Sequence, residues 1–233
     1  MTLKEMDKTS SQKTKAVVET REGFHSPFAP EGFFLIGIGL AGAAFGFGFK
    51  LYGFAGIFLF FTLFSLYFFR DPRRCLKIGP GIIVSPADGK IIEVDRVREE
   101  TFLKAEVNRV VIFMSPLNVH INRAPVRGQV FGREKSGRSY LIASRPEAAR
   151  RNVQVSLALR MENGRAVLMK QIVGAVARRI VCHPQVGDNL RQGQRIGLIR
   201  FGSRVEVFLP DPARILVKPG ERVRGGETIL GEW

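Results

Sequence analysis

The pair Gly202-Ser203 lies between two runs of alternating apolar residues, 195–199 and 205–209. β-Branched and aromatic residues dominate both runs, which predicts two strands. The ordinary interpretation of a Gly-Ser pair in this place is a tight turn. The alternative is a peptide bond that cleaves itself, because a serine hydroxyl can attack the carbonyl group that precedes it.

Self-cleavage at this bond requires a base and a group that orients the base. The Ser203 hydroxyl would attack the Gly202 carbonyl and replace the amide by an ester, and Gly202 has no side chain to obstruct the attack. Elimination from the ester would leave dehydroalanine at residue 203, which hydrolyses to a pyruvoyl group and ammonia. The product is an electrophilic ketone that no ordinary side chain provides.

His120 is the candidate base, and Asp88 is the candidate acid that orients it. His120 follows a Ser-Pro pair in a predicted loop after a strand, where functional residues are common. Each residue also has a plainer interpretation: a structural hydrogen bond for His120, and an ordinary Asp-Gly hairpin turn for Asp88. His183 is predicted to end a strand and His25 lies in the N-terminal tail, so neither is selected.

The composition indicates an anionic partner. The 233 residues include 36 Lys and Arg against 21 Asp and Glu, a formal net charge of +15, which favours nucleic acid or an acidic lipid surface. The basic residues are scattered and most aromatic residues lie elsewhere, in an apolar segment, which argues against nucleic acid. Cys75 and Cys182 provide neither a disulfide framework nor a metal-ligand cluster, so no metal site is predicted.

Residues 31–70 predict a helical hairpin in a membrane. No charged residue occurs from Phe33 to Phe49 or from Leu51 to Phe69, and only Lys50 separates the two runs. A spanning helix needs about 20 apolar residues, with roughly 17–25 as the working range. A signal peptide does not fit, because the apolar segment begins late and is too long.

The first of these helices carries small residues at a helical spacing. Gly42 and Gly46 form a GxxxG pattern, which favours close helix packing in lipid, although glycine is also simply common in membrane helices. Basic residues precede the first helix, and Arg70, Arg73 and Arg74 follow the second. By the positive-inside rule, both ends and the following domain are expected on the cytoplasmic side of the cell membrane.

Residues 1–30 predict a flexible basic tail, and residues 71–233 a β-rich domain. A pattern of Gly-acid-x-apolar-Arg-x-Gly-x-x-Ile occurs in 186–196 and again in 219–229, at an offset of 33 residues. Such turns are typical of flattened β-barrels of the lipoyl and biotinyl carrier type. The predicted fold is therefore mainly β, a flattened barrel or sandwich hybrid that follows an N-terminal transmembrane helical hairpin.

Four motifs in this order resemble the phosphatidylserine decarboxylase family, in its short bacterial and archaeal form. They are Phe69-Arg70-Asp71-Pro72, Ser85-Pro86-Ala87-Asp88-Gly89-Lys90, Met114-Ser115-Pro116-Leu117-Asn118-Val119-His120 and Phe201-Gly202-Ser203. The resemblance extends from about residue 69 to the end of the chain. It implies an inactive proenzyme that cleaves itself between residues 202 and 203, with Asp88 and His120 serving the self-cleaving serine.

The resemblance also implies the reaction and its partners. Residues 1–202 and 203–233 would form a heterodimer of large and small chains, and Ser203 would become a covalent pyruvate cofactor. The amine of phosphatidylserine would form a Schiff base there, lose carbon dioxide and be released as phosphatidylethanolamine. His120 is the acid expected to return a proton to the carbon. Phosphatidylserine and an anionic bacterial cell membrane are thus the expected partners.

One position departs from the longer members of the family, which carry His-x-x-His in this loop. The second histidine position is Arg123 here. In those members the second histidine belongs to the cleavage triad and the first to decarboxylation. Either His120 serves both steps, or another group replaces the missing histidine.

Two other functions remain open from the sequence. One is a pyruvoyl decarboxylase of a different serine lipid, such as an archaeal-type ether lipid. The other is a non-enzymatic membrane adaptor with a lipoyl-like barrel, for which Met169-Lys170 resembles the Met-Lys of biotinyl hairpins. Gln171 departs from that pattern.

Overall fold

The computed structural model describes residues 18–21, 26–175, 179–200 and 202–233. Within these residues the chain forms three α-helices and sixteen strands. The helices are α1 (Phe33–Gly48), α2 (Tyr52–Phe68) and α3 (Ala148–Arg151), and a 3₁₀ turn (Pro30–Gly32) precedes α1. The strands are β1 (Val18–Arg21), β2 (Cys75–Ile78), β3 (Ile82–Val84), β4 (Gly89–Glu99), β5 (Ala105–Met114), β6 (Ile121–Arg123), β7 (Gly128–Ser136), β8 (Gln154–Arg160), β9 (Ala166–Val173), β10 (Ile180–Cys182), β11 (Asn189–Leu190), β12 (Arg195–Ile199), β13 (Ser203–Pro210), β14 (Arg214–Ile215), β15 (Arg222–Val223) and β16 (Ile229–Glu232).

Helices α1 and α2 run antiparallel, and the glycines of α1 make their contact close. A Cβ atom on Gly42 would lie 2.1 Å from the ring of Phe58, and one on Gly46 would lie 2.8 Å from the backbone nitrogen of Ala55. Side chains at these positions would force the helices apart, so the GxxxG spacing forms the contact between the helices.

The outer surface of the two helices is apolar. Phe34 is 76% exposed and Phe60 is 73% exposed, and many large apolar neighbours are exposed as well. The segment Pro30–Gly48 is long and apolar enough, by length and composition, to cross a membrane, whereas the apolar helix Tyr52–Phe68 is shorter. Contiguous exposed apolar surface of this kind marks a membrane or partner contact in folded proteins.

The rest of the chain is mainly β, as predicted, but it does not form a closed barrel. Eight strands make one curled sheet in the order β11-β7-β8-β9-β13-β5-β4-β15, and its apolar face packs on two small sheets, β10-β12-β6 and β14-β16-β3. The edge strands β11 and β15 have two residues each and do not pair with each other in the described residues. Such short edges provide too few hydrogen bonds to close the sheet.

The two halves of the sheet have the same connectivity when each is followed from its outer edge to the centre, which reveals a duplicated unit. The order β11-β7-β8-β9 from one edge corresponds to β15-β4-β5-β13 from the other, and each half owns one small sheet. We call β6 to β12 the inserted unit, and β3 to β5 together with β13 to β16 the host unit. The 33-residue repeat is the last part of this duplication, since β11 and β12 correspond to β15 and β16.

The chain must therefore cross between the two units twice. The first crossover, residues 115–120, leads from β5 of the host unit to β6 of the inserted unit. The second crossover, residues 200–202, leads from β12 back to β13. His120 ends the first crossover and Gly202 ends the second.

Two turns predicted from dipeptides are not hairpins. Strand β3 pairs with β16, whereas β4 pairs with β5 and β15, so Asp88-Gly89 connects different sheets. Strand β12 pairs with β6 and β10, whereas β13 pairs with β5 and β9, so Gly202-Ser203 does the same. Local turn chemistry cannot reveal the partner of a strand. The hairpin interpretation of Asp88-Gly89 is therefore wrong, and the strands on either side of Gly202-Ser203 do not pair with each other.

Part of the predicted tail is ordered by contacts with distant residues. Residues 1–17 and 22–25 of that segment, including His25, lie outside the described residues. Strand β1 pairs with β2, and Phe28 forms a bridge with Arg70. Composition describes a segment by itself, and it could not report a partner strand more than fifty residues away.

The contact between the helices predicts an asymmetry among the glycines of α1. Gly46→Leu should lower the thermal unfolding midpoint of the detergent-solubilised protein by several degrees Celsius, because overpacking costs about 1–3 kcal/mol. Gly37→Leu is the matched control, since nothing lies within 4 Å of a Cβ atom there. Equal midpoints for the two variants would contradict the helix packing.

Candidate active site

Ser203 begins β13 in the interior of the domain. It pairs with Met114 of β5 on one side and with Val173 of β9 on the other, and it is fully buried. Its hydroxyl lies 3.4 Å from the sulfur of Met114. A thioether is a weak acceptor, so the hydroxyl is not held by a strong partner and is available to react.

The carbonyl group of Gly202 occupies a space that only glycine leaves open. Gly202 has a φ of 55°, in the left-handed region that favours glycine. A Cβ atom on Gly174, which follows β9, would lie 2.2 Å from the Gly202 carbonyl oxygen. The bond before Ser203 therefore lies against bare backbone, and the approach to its carbonyl carbon is not blocked by a side chain of Gly202. Gly174 was not singled out from the sequence.

His120 is buried in a neutral state with one free ring nitrogen. Its Nδ1 lies 2.9 Å from the carbonyl oxygen of Asn118, which can only accept, so Nδ1 carries the proton. Its Nε2 is buried and has no hydrogen-bond partner among the residues that the structure describes. Burial lowers the pKa of His120 to about 4 against the opposing effect of the Asn118 carbonyl, and the charge of Arg70 lowers it further. A neutral imidazole with an open lone pair is the form that a general base requires.

The loop that carries His120 is held from two sides. The backbone nitrogen of Ser115 donates to Oδ1 of Asn118, and that of Ile199 donates to the carbonyl of His120. The ring of Phe68, at the end of α2, packs on the imidazole with centroids 4.3 Å apart. The position of His120 thus depends on α2 as well as on the domain.

The strands that flank the two crossovers are paired at both ends, which brings His120 and Ser203 to the same part of the domain. Because Ser203 is opposite Met114, the first crossover starts beside Gly202. Because Leu198 is opposite Ile121, the two crossovers also meet at the other end. No hydrogen bond joins the His120 ring to the Ser203 hydroxyl within the described residues. Catalytic hydrogen bonds are often absent before the reacting groups are engaged.

Asp88 is not brought into contact with His120. Its Oδ2 accepts a hydrogen bond of 2.8 Å from the guanidinium of Arg74, and its Oδ1 accepts one of 2.8 Å from the backbone nitrogen of Gly225. Both carboxylate oxygens are therefore engaged elsewhere in the structure. The group that orients the imidazole is the carbonyl of Asn118.

Arg123 has a structural environment. Its guanidinium donates to the carbonyl of Gly193 at 3.0 Å and pairs with Asp71 at 3.3 Å, and both partners of this ion pair are buried. Asp71 also binds Arg195, which pairs with Glu31. A guanidinium in such a network remains charged and cannot take a proton, so Arg123 does not replace the second histidine as a base.

Two buried amides beside Ser203 were missed by sequence reasoning. Nε2 of Gln171 donates to Oδ1 of Asn122 at 2.8 Å, and Nδ2 of Asn122 lies 3.7 Å from the same Met114 sulfur that Ser203 contacts. Oε1 of Gln171 is buried without a partner. An unsatisfied buried polar atom lowers the stability of the folded protein by about 1–3 kcal/mol. A cost of this size indicates that the Asn122–Gln171 pair has a functional role. A glutamine among the apolar residues of β9 was the available signal.

A pyruvoyl group at residue 203 fits this environment. It would replace the serine CH₂OH by a smaller methyl group, and at the Cα position a ketone oxygen would take the place of the nitrogen that is lost as ammonia. Nδ2 of Asn122 has only a sulfur as its acceptor, so it is a donor that such an oxygen could use. The site needs no additional space to hold the group.

Lys170, the residue that a lipoyl-like carrier would modify, is not at a turn. It lies within β9, opposite Glu206, and its Nζ is 3.9 Å from a carboxylate oxygen of Glu99. It also lies over the ring of Phe208. A lysine held inside a sheet is poorly placed for a carrier role.

Known proteins provide an independent comparison. The sequence model of the phosphatidylserine decarboxylase family matches residues 61–231. The phosphatidylserine decarboxylase proenzyme of Syntrophotalea carbinolica is 46% identical over 175 residues, which cover 75% of this chain and 82% of that protein. The proenzyme of Desulfotalea psychrophila is 42% identical over 176 residues, covering 76% and 82%, and that of Symbiobacterium thermophilum is 45% identical over 170 residues, covering 73% and 79%.

The state of His120 can be measured directly. In the Ser203→Ala protein with ¹⁵N-labelled histidine, the His120 ring should remain neutral from pH 8 to pH 5 and titrate near pH 4, because burial disfavours the charged form. NMR spectra of the ring nitrogens across this range provide the measurement, and the His120→Gln spectrum assigns the signal. A midpoint near 6.5, the ordinary value for histidine, would show that water reaches the ring.

Proposed function

The chain belongs to the phosphatidylserine decarboxylase family and decarboxylates phosphatidylserine, and we propose that it does so through a pyruvoyl group made by self-cleavage between Gly202 and Ser203. The observation that carries the proposal is the buried Ser203 hydroxyl after Gly202, a residue without a side chain whose carbonyl oxygen lies against the bare backbone of Gly174. The name proenzyme, which the relatives bear, agrees with a chain that matures by cleavage.

His120 is the base in the proposed cleavage. Its free Nε2 takes the proton of the Ser203 hydroxyl as the oxygen attacks the Gly202 carbonyl carbon. The C–N bond then breaks, the nitrogen of residue 203 takes a proton, and an ester joins the two residues. Loss of the Cα proton of residue 203 expels the Gly202 carboxylate, and water converts the resulting dehydroalanine to the ketone and ammonia.

In decarboxylation the pyruvoyl ketone supplies the electron sink that a side chain cannot offer. His120 moves the proton. A neutral Nε2 can accept one from the substrate's ammonium group as the amine engages the site, and can return it to the α-carbon after carbon dioxide leaves. Asn122 donates toward the oxygen on residue 203, and Gln171 orients Asn122. One histidine serves both steps in this account, so no second histidine is needed.

The sheet is suited to hold the two chains together after cleavage. Strand β13, the first part of residues 203–233, is hydrogen-bonded to β5 and to β9 along its length. The carboxylate of Asp88 binds the backbone of Gly225, so it connects the large chain to the small chain. We assign this connecting role to Asp88, in place of contact with the base.

The proposed location is the cytoplasmic face of the cell membrane. The apolar surface of α1 and α2 would lie in the bilayer, and the end of α2 contacts His120, which brings the site to the membrane surface. The substrate remains in the bilayer, so its headgroup must be met there. The net charge of +15 favours a surface of anionic lipids.

Intact-mass analysis of the purified protein tests the cleavage. Wild type should yield two chains, of which the smaller has 31 residues and begins with a ketone in place of serine. Ser203→Ala should remain one chain of 26.0 kDa and show no decarboxylation. A wild-type protein that decarboxylates phosphatidylserine as a single intact chain would rule out this mechanism.

Substitution of the proposed base tests the role of His120. His120→Ala should slow self-cleavage by about 10²–10⁴-fold, the range expected for loss of a general base. Electrophoresis of samples taken over time after synthesis measures the rate. His183→Ala is the matched control, because the His183 side chain is 61% exposed and pairs with Glu31 away from Ser203. Normal cleavage in His120→Ala would remove His120 from the mechanism.

A further inference from the structure

Two loops beside Gly202 present large apolar side chains to the exterior. Leu117, in the first crossover, is 65% exposed, and Ile142, in the connection from β7 to α3, is 50% exposed. Single exposed apolar residues are ordinary on protein surfaces. These two are distinguished by where their neighbours lie.

Pro116, which precedes Leu117, and Ala143, which follows Ile142, each lie close to a glycine of the site. Cγ of Pro116 lies 3.8 Å from the position of a Cβ atom on Gly202. Cβ of Ala143 lies 3.2 Å from the position of a Cβ atom on Gly174, the glycine that faces the Gly202 carbonyl. Leu117 and Ile142 therefore flank the reacting bond from two different loops.

The backbone at Leu117 is fixed to the end of α2. The hydroxyl of Tyr67 donates to the Leu117 carbonyl at 3.1 Å, and Nη2 of Arg70 donates to the same oxygen at 2.8 Å. The guanidinium of Arg70 also lies 4.0 Å from the centre of the Tyr67 ring. Tyrosine and arginine at the end of an apolar helix are the residues that sit at the level of lipid headgroups. Leu117 is held at that same level.

We infer that Leu117 and Ile142 enter the lipid interface and form a membrane-facing mouth, through which the serine headgroup reaches residue 203. This inference rests on the proposed function, since it takes a lipid as the substrate. The occupant is a bilayer, because the mouth adjoins the exposed apolar surface of α1 and α2 and the substrate's acyl chains remain in lipid. The headgroup thus reaches the site without the lipid leaving the membrane.

Substitution of Leu117 or Ile142 with serine should impair access of the membrane lipid to the site without impairing the chemical step. Leu117→Ser retains the carbonyl that Tyr67 and Arg70 bind, and Ile142→Ser removes only an exposed side chain. For phosphatidylcholine vesicles with 10% phosphatidylserine, each change should lower kcat/KM by about tenfold, the scale expected when a buried leucine-sized contact is lost. For monomeric dihexanoyl phosphatidylserine, kcat/KM and the rate of self-cleavage should remain within about twofold of wild type.

Matched controls calibrate the loss of apolar surface. Val186→Ser and Leu216→Ser remove side chains that are 61% and 44% exposed on other loops, and both should retain wild-type activity on vesicles. The membrane-facing mouth would be contradicted if Leu117→Ser and Ile142→Ser left activity on vesicles unchanged. It would also be contradicted if they lowered activity equally on vesicles and on the monomeric lipid. A wild-type protein inactive on both substrates would instead refute the proposed function.

Insertion can also be observed without turnover. Trp233 is the single tryptophan of the chain, so Leu117→Trp adds one fluorophore. In vesicles of brominated phosphatidylcholine, the added fluorescence of Leu117→Trp should be strongly quenched, whereas that of Val186→Trp should not. Equal quenching of the two variants, or none in either, would contradict insertion of the first crossover into lipid.

Discussion

The register of β13 is the constraint on which the site depends. Side chains alternate between the faces of a sheet, so a shift of one residue would exchange every inward and outward position. Ser203 and Val205 face the apolar core, whereas Arg204 and Glu206 face the other side and form a buried ion pair of 2.6 Å. Arg109 of the neighbouring strand lies close to Glu206 as well. A slipped β13 would place these charges among the apolar side chains of the core, away from their partners, and would move the serine to the opposite face, so the observed register is far more stable than its neighbours.

The duplicated architecture explains why the two crossovers begin and end beside each other. One seven-stranded unit is inserted between β5 and β13 of another, and both connections leave and return at the same end of the antiparallel pair β5–β13. The two crossovers are consequently neighbours, although His120 and Ser203 are more than eighty residues apart in sequence. The reacting bond lies at the point where the chain returns to the host unit. There it passes from one sheet to another, and backbone of unusual conformation is tolerated because no ladder must be continued.

Local patterns predicted the parts of this structure that are local in origin. Uninterrupted apolar composition predicted α1 and α2, and alternation predicted most long strands. The assignment of the Gly-Ser pair as the reacting bond came from chemistry alone and stays a prediction. Strand partners were not predictable, since sheet pairing depends on distant segments. For this reason Asp88 was expected at a hairpin turn near the base, whereas its carboxylate binds Arg74 and Gly225. Gly174 and Asn122 could not be recognised for the same reason, because their roles depend on what lies opposite them, and Gln171 gave a signal only as a polar residue in an apolar strand.

The end of α2 does more than attach a domain to a membrane. Phe68 covers the imidazole of His120 and excludes water from it, and Arg70 binds the loop while its charge also disfavours the imidazolium. Both effects favour the neutral ring, which can accept a proton at neutral pH. A histidine exposed to water would be largely neutral at this pH without these contacts, but it could not lie near a buried serine. The end of α2 thus supplies the environment that keeps His120 in the neutral form which the proposed mechanism requires of its base.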